Sequence, residues 1–365
     1  MAERDDQARD FLNHAGWKGA ALAPLPGDAS TRRYARVTMG GCRAMLMDQP
    51  QSAETPAAPA HATPEERRAL GYNAVARLAG ADCARFVAVS NYLRGLGLSA
   101  PEIYAADPAR GFVLIEDLSD ALYADVLTDG ADPRALYESA AEVLAALHAD
   151  DAPAILHPEK ALLPYDETAL LAEIDLMTEW YLPYALNRAA ASDEIAEHRA
   201  LWRDAIASVQ EPSLVFVHRD YHAQNLLWLP DREGVARVGL IDFQDAVAGS
   251  RAYDLISLIE DARRDVAPQI AATTTAHYIS AIPGLDAERF EAQMAVMAAQ
   301  RNAKIAGIFA RLYRRDGKPR YLAYLPRVWG YLNRDLEHPA LGSLKSWYDR
   351  TIPPEARGRI DGAAA

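Results

Sequence analysis

The segment that determines the fold reads LVFV-HRDYHAQN-LLWL at residues 214–229. Two apolar runs enclose a polar loop of eight residues, 218–225. A turn at residues 231–234 then leads to a third apolar run, residues 235–241, which ends at Asp242. Apolar runs bounded by turn residues are typical of strands. The order strand, polar loop, strand, turn, strand and acidic residue therefore predicts a catalytic loop followed by a metal-binding carboxylate.

Three side chains of this segment are of the types that phosphoryl transfer from ATP requires. Asp220 is the candidate general base for an acceptor hydroxyl, and Asn225 and Asp242 are candidate oxygen ligands for Mg²⁺. The spacing places Asp220 and Asn225 at opposite ends of one loop, and the adjacent hairpin brings Asp242 towards them. Alternatively, His218 and Asp220 only stabilise a loop and Asp242 ends a strand. The complete pattern HxDxxxxN, followed after a hairpin by IDF, favours catalysis.

These motifs resemble the aminoglycoside phosphotransferase and choline kinase superfamily, which shares the protein-kinase fold. The strings that carry this resemblance are HRDYHAQN at 218–225, IDF at 241–243 and GSRAYDL at 249–255. Further strings resemble the bacterial anomeric kinases for N-acetylmuramate and N-acetylglucosamine that act in cell-wall recycling. They are GDASTRRY at 27–34, MLMD at 45–48, GFVLIEDL at 111–118 and the segment 300–318. The resemblance spans nearly the whole chain.

The resemblance implies an α+β, protein-kinase-like fold with two lobes. The expected N-lobe, residues 1–118, has an antiparallel sheet and binds nucleotide. The expected C-lobe, residues 119–365, is mainly helical and carries the catalytic loop, the metal site and the acceptor-sugar site. The implied reaction uses ATP as co-substrate with Mg²⁺ and phosphorylates the anomeric hydroxyl of N-acetylmuramate or N-acetylglucosamine, as in peptidoglycan recycling.

The first turn of the N-lobe is the expected phosphate-binding turn, because in kinases this turn folds over the nucleotide phosphates. Hydroxyl and guanidinium groups there can bind phosphate oxygens, and the candidates are Ser30, Thr31, Arg32 and Arg33. A hairpin turn with a solvated arginine pair is the alternative. By the resemblance, main-chain groups at Glu116 and Leu118 bind the adenine edge.

The third strand lacks the lysine that protein kinases use to bridge the phosphates and an acidic residue of the following helix. No lysine occurs between Lys18 and Lys160. An arginine is expected to supply the cation, since guanidinium grips phosphate bidentately, and the candidates are Arg32, Arg33 and Arg43. The alternative is a catalytically inactive kinase fold.

Candidates for the acceptor sugar come from three places in the C-lobe. Glu173 and Trp180 lie seven positions apart on a helix predicted at residues 168–181, which sets a carboxylate beside an aromatic face. Ordinary core packing with one exposed acid explains them equally well. Arg301, from a basic group in the last third, is the candidate for binding the lactyl carboxylate of N-acetylmuramate, with a solvated face or internal salt bridges as the alternative. His222, on the catalytic loop, is the remaining candidate.

The other regular elements follow from hydrophobic periodicity and turn signals. Strands are predicted at residues 20–25, 34–38, 44–47, 101–104 and 111–115. Helices are predicted at residues 6–13, 65–78, 85–96, 133–148, 271–282, 286–313 and 322–332. Thr63 is the predicted N-cap of the helix that begins at residue 65, with Glu66 completing a capping box.

The amino-acid composition excludes some classes of binding partner. A net charge of −13 over 365 residues argues against nucleic acid, because no excess of basic side chains is available to release counterions. Cys42 and Cys83 show neither a disulfide framework nor metal spacing. The N-terminus is charged and no run of about 18 apolar residues occurs, which predicts a cytoplasmic protein that does not bind a membrane. The sequence does not determine the oligomeric state, and a monomer is favoured.

Two other classes of function stay open at this point. One is a small-molecule kinase for another acceptor, such as an aminoglycoside or an amino alcohol, although a pocket for a polycation favours carboxylates over the arginines of the last third. The other is a nucleotide-binding regulator without catalysis, which the missing N-lobe lysine suggests.

Overall fold

The computed structural model describes residues 2–26, 32–50, 56–80, 82–157, 159–211 and 213–360. The contacts between residues divide the chain into two compact units. The first unit is formed by Met1–Leu163 with His218–Val247, and the second by Pro164–Val217 with Ala248–Ala365. The division into lobes at Leu118 stays a prediction.

The strands have the following bounds in chain order: β1 Ala21–Pro24, β2 Arg33–Met39, β3 Cys42–Asp48, β4 Ile103–Asp107, β5 Phe112–Glu116, β6 Ile155–Leu156, β7 Lys160–Ala161, β8 Val215–Val217, β9 Leu226–Trp228, β10 Val238–Leu240 and β11 Val247–Gly249. The α-helices are α1 Ala2–His14, α2 Pro64–Leu70, α3 Cys83–Gly95, α4 Tyr123–Thr128, α5 Pro133–Leu147, α6 Glu167–Leu176, α7 Leu182–Leu186, α8 Ser192–Ser208, α9 Ala252–Ile259, α10 Pro268–Ala281, α11 Ala287–Arg314, α12 Leu325–Asp335 and α13 Gly342–Thr351. Single π-helical turns occur at Asn73–Arg77 and Met177–Tyr181, and short 3₁₀ helices at Gly234–Arg237, Pro319–Tyr324, Pro339–Leu341 and Pro354–Ala356.

The first unit contains a five-stranded sheet of order β1-β2-β3-β5-β4, in which every neighbouring pair is antiparallel. Helix α1 covers one face of it. Phe11 and Leu12 of α1 pack into a buried cluster with Val37, Leu46 and Phe112 from three strands. The predicted antiparallel sheet is therefore confirmed.

A second structural feature of the first unit is the hairpin that follows the catalytic loop. Strands β9 and β10 pair antiparallel, with Leu226 opposite Leu240 and Trp228 opposite Val238. The chain then turns at Asp242. The catalytic loop and the residue predicted as a metal ligand therefore lie at the same end of one hairpin.

The second unit is mainly helical and is built around α11. This 28-residue helix packs against α6, α9 and α12. Gly307 allows its close approach to α6, because a Cβ at that position would lie 2.5 Å from the Cβ of Leu176. A larger residue at position 307 would push the two helices apart.

Some predicted helices are interrupted. The helix predicted at 65–78 ends at Leu70, because Gly71 adopts a φ of 101° that only glycine tolerates well, and a π turn follows at Asn73–Arg77. The capping box at Thr63 and Glu66 is confirmed. The helix predicted at 168–181 is α-helical only to Leu176. Its last part is a π turn, a wider turn that accommodates one extra residue.

Two further differences concern segments 235–241 and 322–332. The first begins as a 3₁₀ helix and becomes strand only at Val238, and the second becomes α-helix only at Leu325. Both cysteines are free, with Cys83 buried and Cys42 exposed. Within the described residues, no helix is long and apolar enough to cross a membrane.

Candidate active site

The catalytic loop, residues 218–225, is anchored to two helices of the first unit. The Tyr221 hydroxyl donates to the carbonyl of Ala140 in α5 at 2.8 Å, and the Ala223 carbonyl accepts from the amide of Ala124 in α4 at 3.0 Å. His218 is fully buried, with its ring edge-on to Tyr221. Burial lowers the pKa of His218 to about 4, so its imidazole is neutral at pH 7 and its role is to pack the loop.

Asn225 connects the catalytic loop to the strand that precedes Asp242. Its side-chain Nδ2 donates to the Asp220 carbonyl at 2.9 Å, and its own carbonyl accepts from the amide of Ile241 at 3.2 Å. Because the amide nitrogen is engaged in the loop, the amide oxygen is the group that Asn225 can offer to a cation. Asn225 is thereby bonded to the predicted base and to the residue that directly precedes Asp242.

Two residues of this region have backbone conformations that side chains rarely adopt. Arg219 has a φ of 76° and Asp242 a φ of 62°. Such conformations cost about 1–3 kcal/mol each and cluster at functional sites, where the surrounding structure enforces them. One lies directly before the predicted base, and the other is a predicted metal ligand.

The Asp242 side chain keeps 41% of its surface accessible. Its Oδ1 is 3.0 Å from a guanidinium nitrogen of Arg32 and accepts from Gln244 Nε2 at 3.0 Å. Loss of surrounding water raises the pKa of Asp242. Arg32 opposes that shift, and the carboxylates of Asp220 and Asp245 reinforce it. A carboxylate and an amide oxygen are hard donors, so Asn225 and Asp242 fit a cation such as Mg²⁺ that keeps several waters.

The acidic loop, which we define as residues 242–246, carries a second carboxylate with its own cation. Asp245 accepts from Arg77 at 2.6 Å, although the two residues are 168 positions apart. Burial alone would raise the pKa of Asp245, but the guanidinium groups of Arg77, Arg219 and Arg32 hold it below its ordinary value. No sequence signal pointed to Arg77, because its partner is brought near only by the tertiary fold.

Two more arginines bind main-chain carbonyls around this loop. Arg219 donates to the carbonyls of Arg77 at 2.7 Å and Ala76 at 3.2 Å. Arg85, on α3, donates to the carbonyls of Gln244 at 2.8 Å and of Ala246. The acidic loop is therefore held by several arginines from separate segments of the first unit.

Of the three arginines predicted to replace the lysine, Arg32 is the one that reaches the acidic loop. Its side chain is 9% exposed and pairs with Asp242. Arg33 is half exposed and pairs with Asp48 at 2.6 Å, while Arg43 pairs with Asp117 at 2.9 Å. Ser30 and Thr31, also predicted to contact phosphate, lie outside the described residues.

The predicted adenine site follows β5. The Glu116 carboxylate pairs with Arg232, and its main-chain amide donates to the Glu102 carbonyl at 2.8 Å. Any adenine contact from the Glu116 main chain must therefore come from its carbonyl oxygen. Leu118 packs with Leu227 and Leu229 in a small apolar cluster. Adenine binding by Glu116 and Leu118 stays a prediction.

Among the sugar candidates, His222 lies in the first unit, between the predicted base and the predicted metal ligand in sequence. It is buried. Its Nδ1 accepts from the Gln224 amide at 3.3 Å, and its Nε2 is 3.5 Å from Asn225 Nδ2. The structure thus groups His222 with Asp220 and Asn225, and sugar contact by His222 stays a prediction.

Glu173 and Trp180 lie in the second unit. Glu173 is 1% exposed and pairs with Lys304 Nζ at 2.7 Å, while Gln300 and the Tyr165 hydroxyl donate to the same carboxylate. Its charge is therefore compensated inside the unit. Trp180 is half-buried within the π turn, so the regular helical spacing used to pair it with Glu173 ends at Leu176. Sugar contact by Glu173 and Trp180 stays a prediction.

Arg301, also in the second unit, is buried and donates to the carbonyl of Glu260 at 3.2 Å and the hydroxyl of Ser257 at 2.9 Å. The neighbouring Asn302 donates to the Glu260 carboxylate at 2.6 Å and to the Asp335 carboxylate at 2.9 Å. The Arg301 guanidinium is therefore hydrogen-bonded inside the unit. Its contact with the lactyl carboxylate stays a prediction.

Comparison with known proteins shows what this chain is similar to. A family model described as phosphotransferase enzyme family matches residues 21–290. A Caulobacter vibrioides protein named N-acetylmuramate/N-acetylglucosamine kinase is 44% identical over 98% of this chain and 99% of its own. A Pseudomonas aeruginosa protein of the same name is 34% identical over 89% and 87%. The crystal structure of a choline/ethanolamine kinase family protein from Mesorhizobium loti matches 94% of this chain and 98% of its own, with a TM-score of 0.57 at 16% identity. This structural likeness confirms the predicted kinase-like fold.

Proposed function

Since the chain belongs to the phosphotransferase enzyme family, we propose that it phosphorylates the anomeric hydroxyl of N-acetylmuramate and N-acetylglucosamine with ATP. The products are the sugar 1-phosphate and ADP, and the expected setting is peptidoglycan recycling in the cytoplasm. The observation that carries the proposal is the linkage of Asp220, Asn225 and Asp242 at one end of a hairpin. The names of the relatives supply the acceptor.

In the proposed reaction, the Asp220 carboxylate orients the anomeric hydroxyl and accepts its proton. The sugar oxygen forms a bond to the γ-phosphorus as the bond between that phosphorus and the ADP oxygen breaks. An anomeric hydroxyl is more acidic than an ordinary alcohol, so Asp220 need only collect the proton late. General-base assistance of this kind contributes a factor of about 10² to 10⁴.

The charge on the nucleotide has to be balanced by groups of this chain and by a cation. Mg²⁺ held by Asn225 and Asp242 would neutralise charge on the β- and γ-phosphate oxygens. Arg32 is the candidate guanidinium for the phosphates, because it is buried beside Asp242 and remains charged at any pH of interest. Arg32 would supply the positive charge that protein kinases take from a lysine, since no lysine occurs between Lys18 and Lys160.

The experiment is a coupled assay of ADP release with Mg²⁺-ATP and a panel of acceptors. The panel contains N-acetylmuramate, N-acetylglucosamine, the 1-O-methyl glycosides of both sugars, kanamycin and choline. Turnover with the free sugars but not with the methyl glycosides supports an anomeric kinase, because the glycosides lack only the reacting hydroxyl. Turnover confined to kanamycin or choline, or turnover of the methyl glycosides, would contradict the proposal.

A further inference from the structure

The acidic loop, residues 242–246, is bound to a helical segment that lies far away in sequence. Arg77 is the last residue of the π turn at Asn73–Arg77. Its guanidinium is 2.6 Å from Asp245, and the side chains of Arg77 and Asp245 are 39% and 13% exposed. Because the carboxylate is mostly shielded from water, solvent screens this pair less than a pair with both partners exposed.

A second connection runs in the opposite direction. Arg219 of the catalytic loop donates to the carbonyls of Arg77 and Ala76. The π turn therefore receives hydrogen bonds from the residue before the predicted base, and it gives one to the loop that follows a predicted metal ligand. Both connections lie within the first unit.

The charges of this arrangement are the reverse of the familiar kinase pair. In protein kinases a lysine of the third strand pairs with an acidic residue of the following helix, and this pair must be in place for catalysis. In this chain β3, Cys42–Asp48, has no lysine. The helical segment instead carries the cation, Arg77, and the carboxylate belongs to the acidic loop, three residues after Asp242.

We propose that Arg77 is a positioning residue for phosphoryl transfer: its ion pair with Asp245 fixes the acidic loop so that Asp242 is aligned with Asn225 for the metal. The inference rests on the proposed metal site of these two residues. Asp242 needs such support, because its backbone is held at a φ of 62° and would relax if the loop were released. Arg77 acts on the metal only through the loop.

The test measures Mn²⁺ binding to the full chain in the presence of ADP, by electron paramagnetic resonance of free Mn²⁺. Substitution of residues that orient metal ligands typically weakens metal binding 10- to 100-fold. Arg77→Ala and Asp245→Asn are each expected to raise the Mn²⁺ dissociation constant by about that factor. The double variant should be no weaker than either single variant, because both changes break one pair. Arg77→Lys should recover part of the loss.

The matched control is Arg68→Ala. Arg68 lies on α2, and its ion pair with Glu65 at 3.0 Å is on the surface, so its loss should leave Mn²⁺ binding unchanged. Two further readouts distinguish positioning from general damage. The affinity for ADP without metal should be unchanged in the Arg77 variants, and in turnover kcat should fall while KM for the sugar stays the same, as expected for an interaction that matters only to the transition state.

If Asp245→Asn bound Mn²⁺ as tightly as the wild type, the inference would be overturned. Asparagine has nearly the shape of aspartate, so this variant should fold and decides the question even if Arg77→Ala does not fold. The inference would also be overturned if the Arg77 variants lost affinity for metal-free ADP by the same factor as affinity for Mn²⁺. The proposed function fails in a different way. If the wild-type protein bound no Mn²⁺ in the presence of ADP and released no ADP from ATP, the proposed metal site would be wrong. The inference about Arg77, which rests on that site, would then be wrong as well.

Discussion

Arg85 supports the acidic loop through main-chain carbonyls, and its replacement by methionine should lower the free energy of unfolding by about 2–4 kcal/mol. The side chain is 7% exposed and donates to the carbonyls of Gln244 at 2.8 Å, of Ala161 at 2.9 Å and of Ala246. A hydrogen bond to a charged donor contributes about 1.5–3 kcal/mol. Arg85→Met removes all three but retains most of the volume.

The summed free energy of these three bonds overstates the loss of stability. Arg85→Met also removes the cost of burying a guanidinium, which is several kcal/mol. The expected net loss is about 2–4 kcal/mol, since three buried carbonyls are left to find water. A protein of ordinary stability, about 5–15 kcal/mol, still folds. The loop that bears Asp242 should nevertheless loosen, and the Mg²⁺ concentration for half-maximal turnover should rise.

The assay is urea unfolding followed by tryptophan fluorescence, together with a Mg²⁺ titration of activity. Arg134→Met is the matched control, because Arg134 is an exposed arginine of the first unit whose partner is Glu138 on the same helix. The control should unfold at the wild-type urea concentration. Arg85→Met unfolding at the wild-type concentration, with an unchanged Mg²⁺ requirement, would refute the reasoning that these bonds hold the loop.

Three further predictions concern the base, the phosphate-binding arginine and a buried carboxyl group. Asp220→Asn should lower kcat by about 10² to 10⁴ at an unchanged urea midpoint, and wild-type turnover would exclude Asp220 as the base. Arg32→Ala should raise KM for ATP by about 10- to 100-fold, the equivalent of one charge-assisted hydrogen bond, and the exposed Arg33 should matter less. A larger effect of Arg33→Ala would reverse that assignment. Burial and the nearby Glu260 carboxylate raise the pKa of Asp335 above its ordinary 3.8, so the native state keeps a proton that the unfolded chain releases. Stability should therefore fall as the pH rises above about 4, by up to about 1.4 kcal/mol per pH unit, and Asp335→Asn should reduce this slope in urea unfolding. The same dependence of stability on pH in the wild type and in Asp335→Asn would contradict the raised pKa of Asp335.

The catalytic segment was predictable because its information is local. The spacing HxDxxxxN puts Asp220 and Asn225 on one loop, and the flanking apolar runs specify the hairpin that delivers Asp242. The structure links Asp220 to Asn225 by a hydrogen bond of 2.9 Å. The strands of the antiparallel sheet and the capping box at Thr63 were predictable for the same reason.

The Arg77–Asp245 pair was not predictable, because its partners are 168 positions apart. The π turn that ends at Arg77 has no sequence signal either, and the periodicity of residues 65–78 favoured a continuous helix. Only the packed structure shows that Gly71 ends the first helix and that a wider turn carries Arg77.

Charged residues of the second unit show a different difficulty. The sequence predicts Glu173 as a sugar contact because helical spacing sets it beside Trp180, and Arg301 because a guanidinium can bind the lactyl carboxylate of N-acetylmuramate. The structure gives both of them internal partners, Lys304 for Glu173 and Ser257 for Arg301. A sequence does not distinguish a buried charge that is satisfied within the protein from one directed at a substrate, since both need the same residue types.

Transfer of the phosphate to the anomeric oxygen of an amino sugar can be observed in the product itself. The most direct measurement is ³¹P and ¹³C nuclear magnetic resonance of the product formed from N-acetylmuramate, N-acetylglucosamine and ATP. We expect the phosphorus resonance to be coupled to the anomeric proton and the C1 carbon signal to be split by phosphorus. A product in which phosphorus couples to the C6 protons, or in which the C1 signal is not split by phosphorus, would contradict transfer to the anomeric oxygen, even if ADP is released at a high rate.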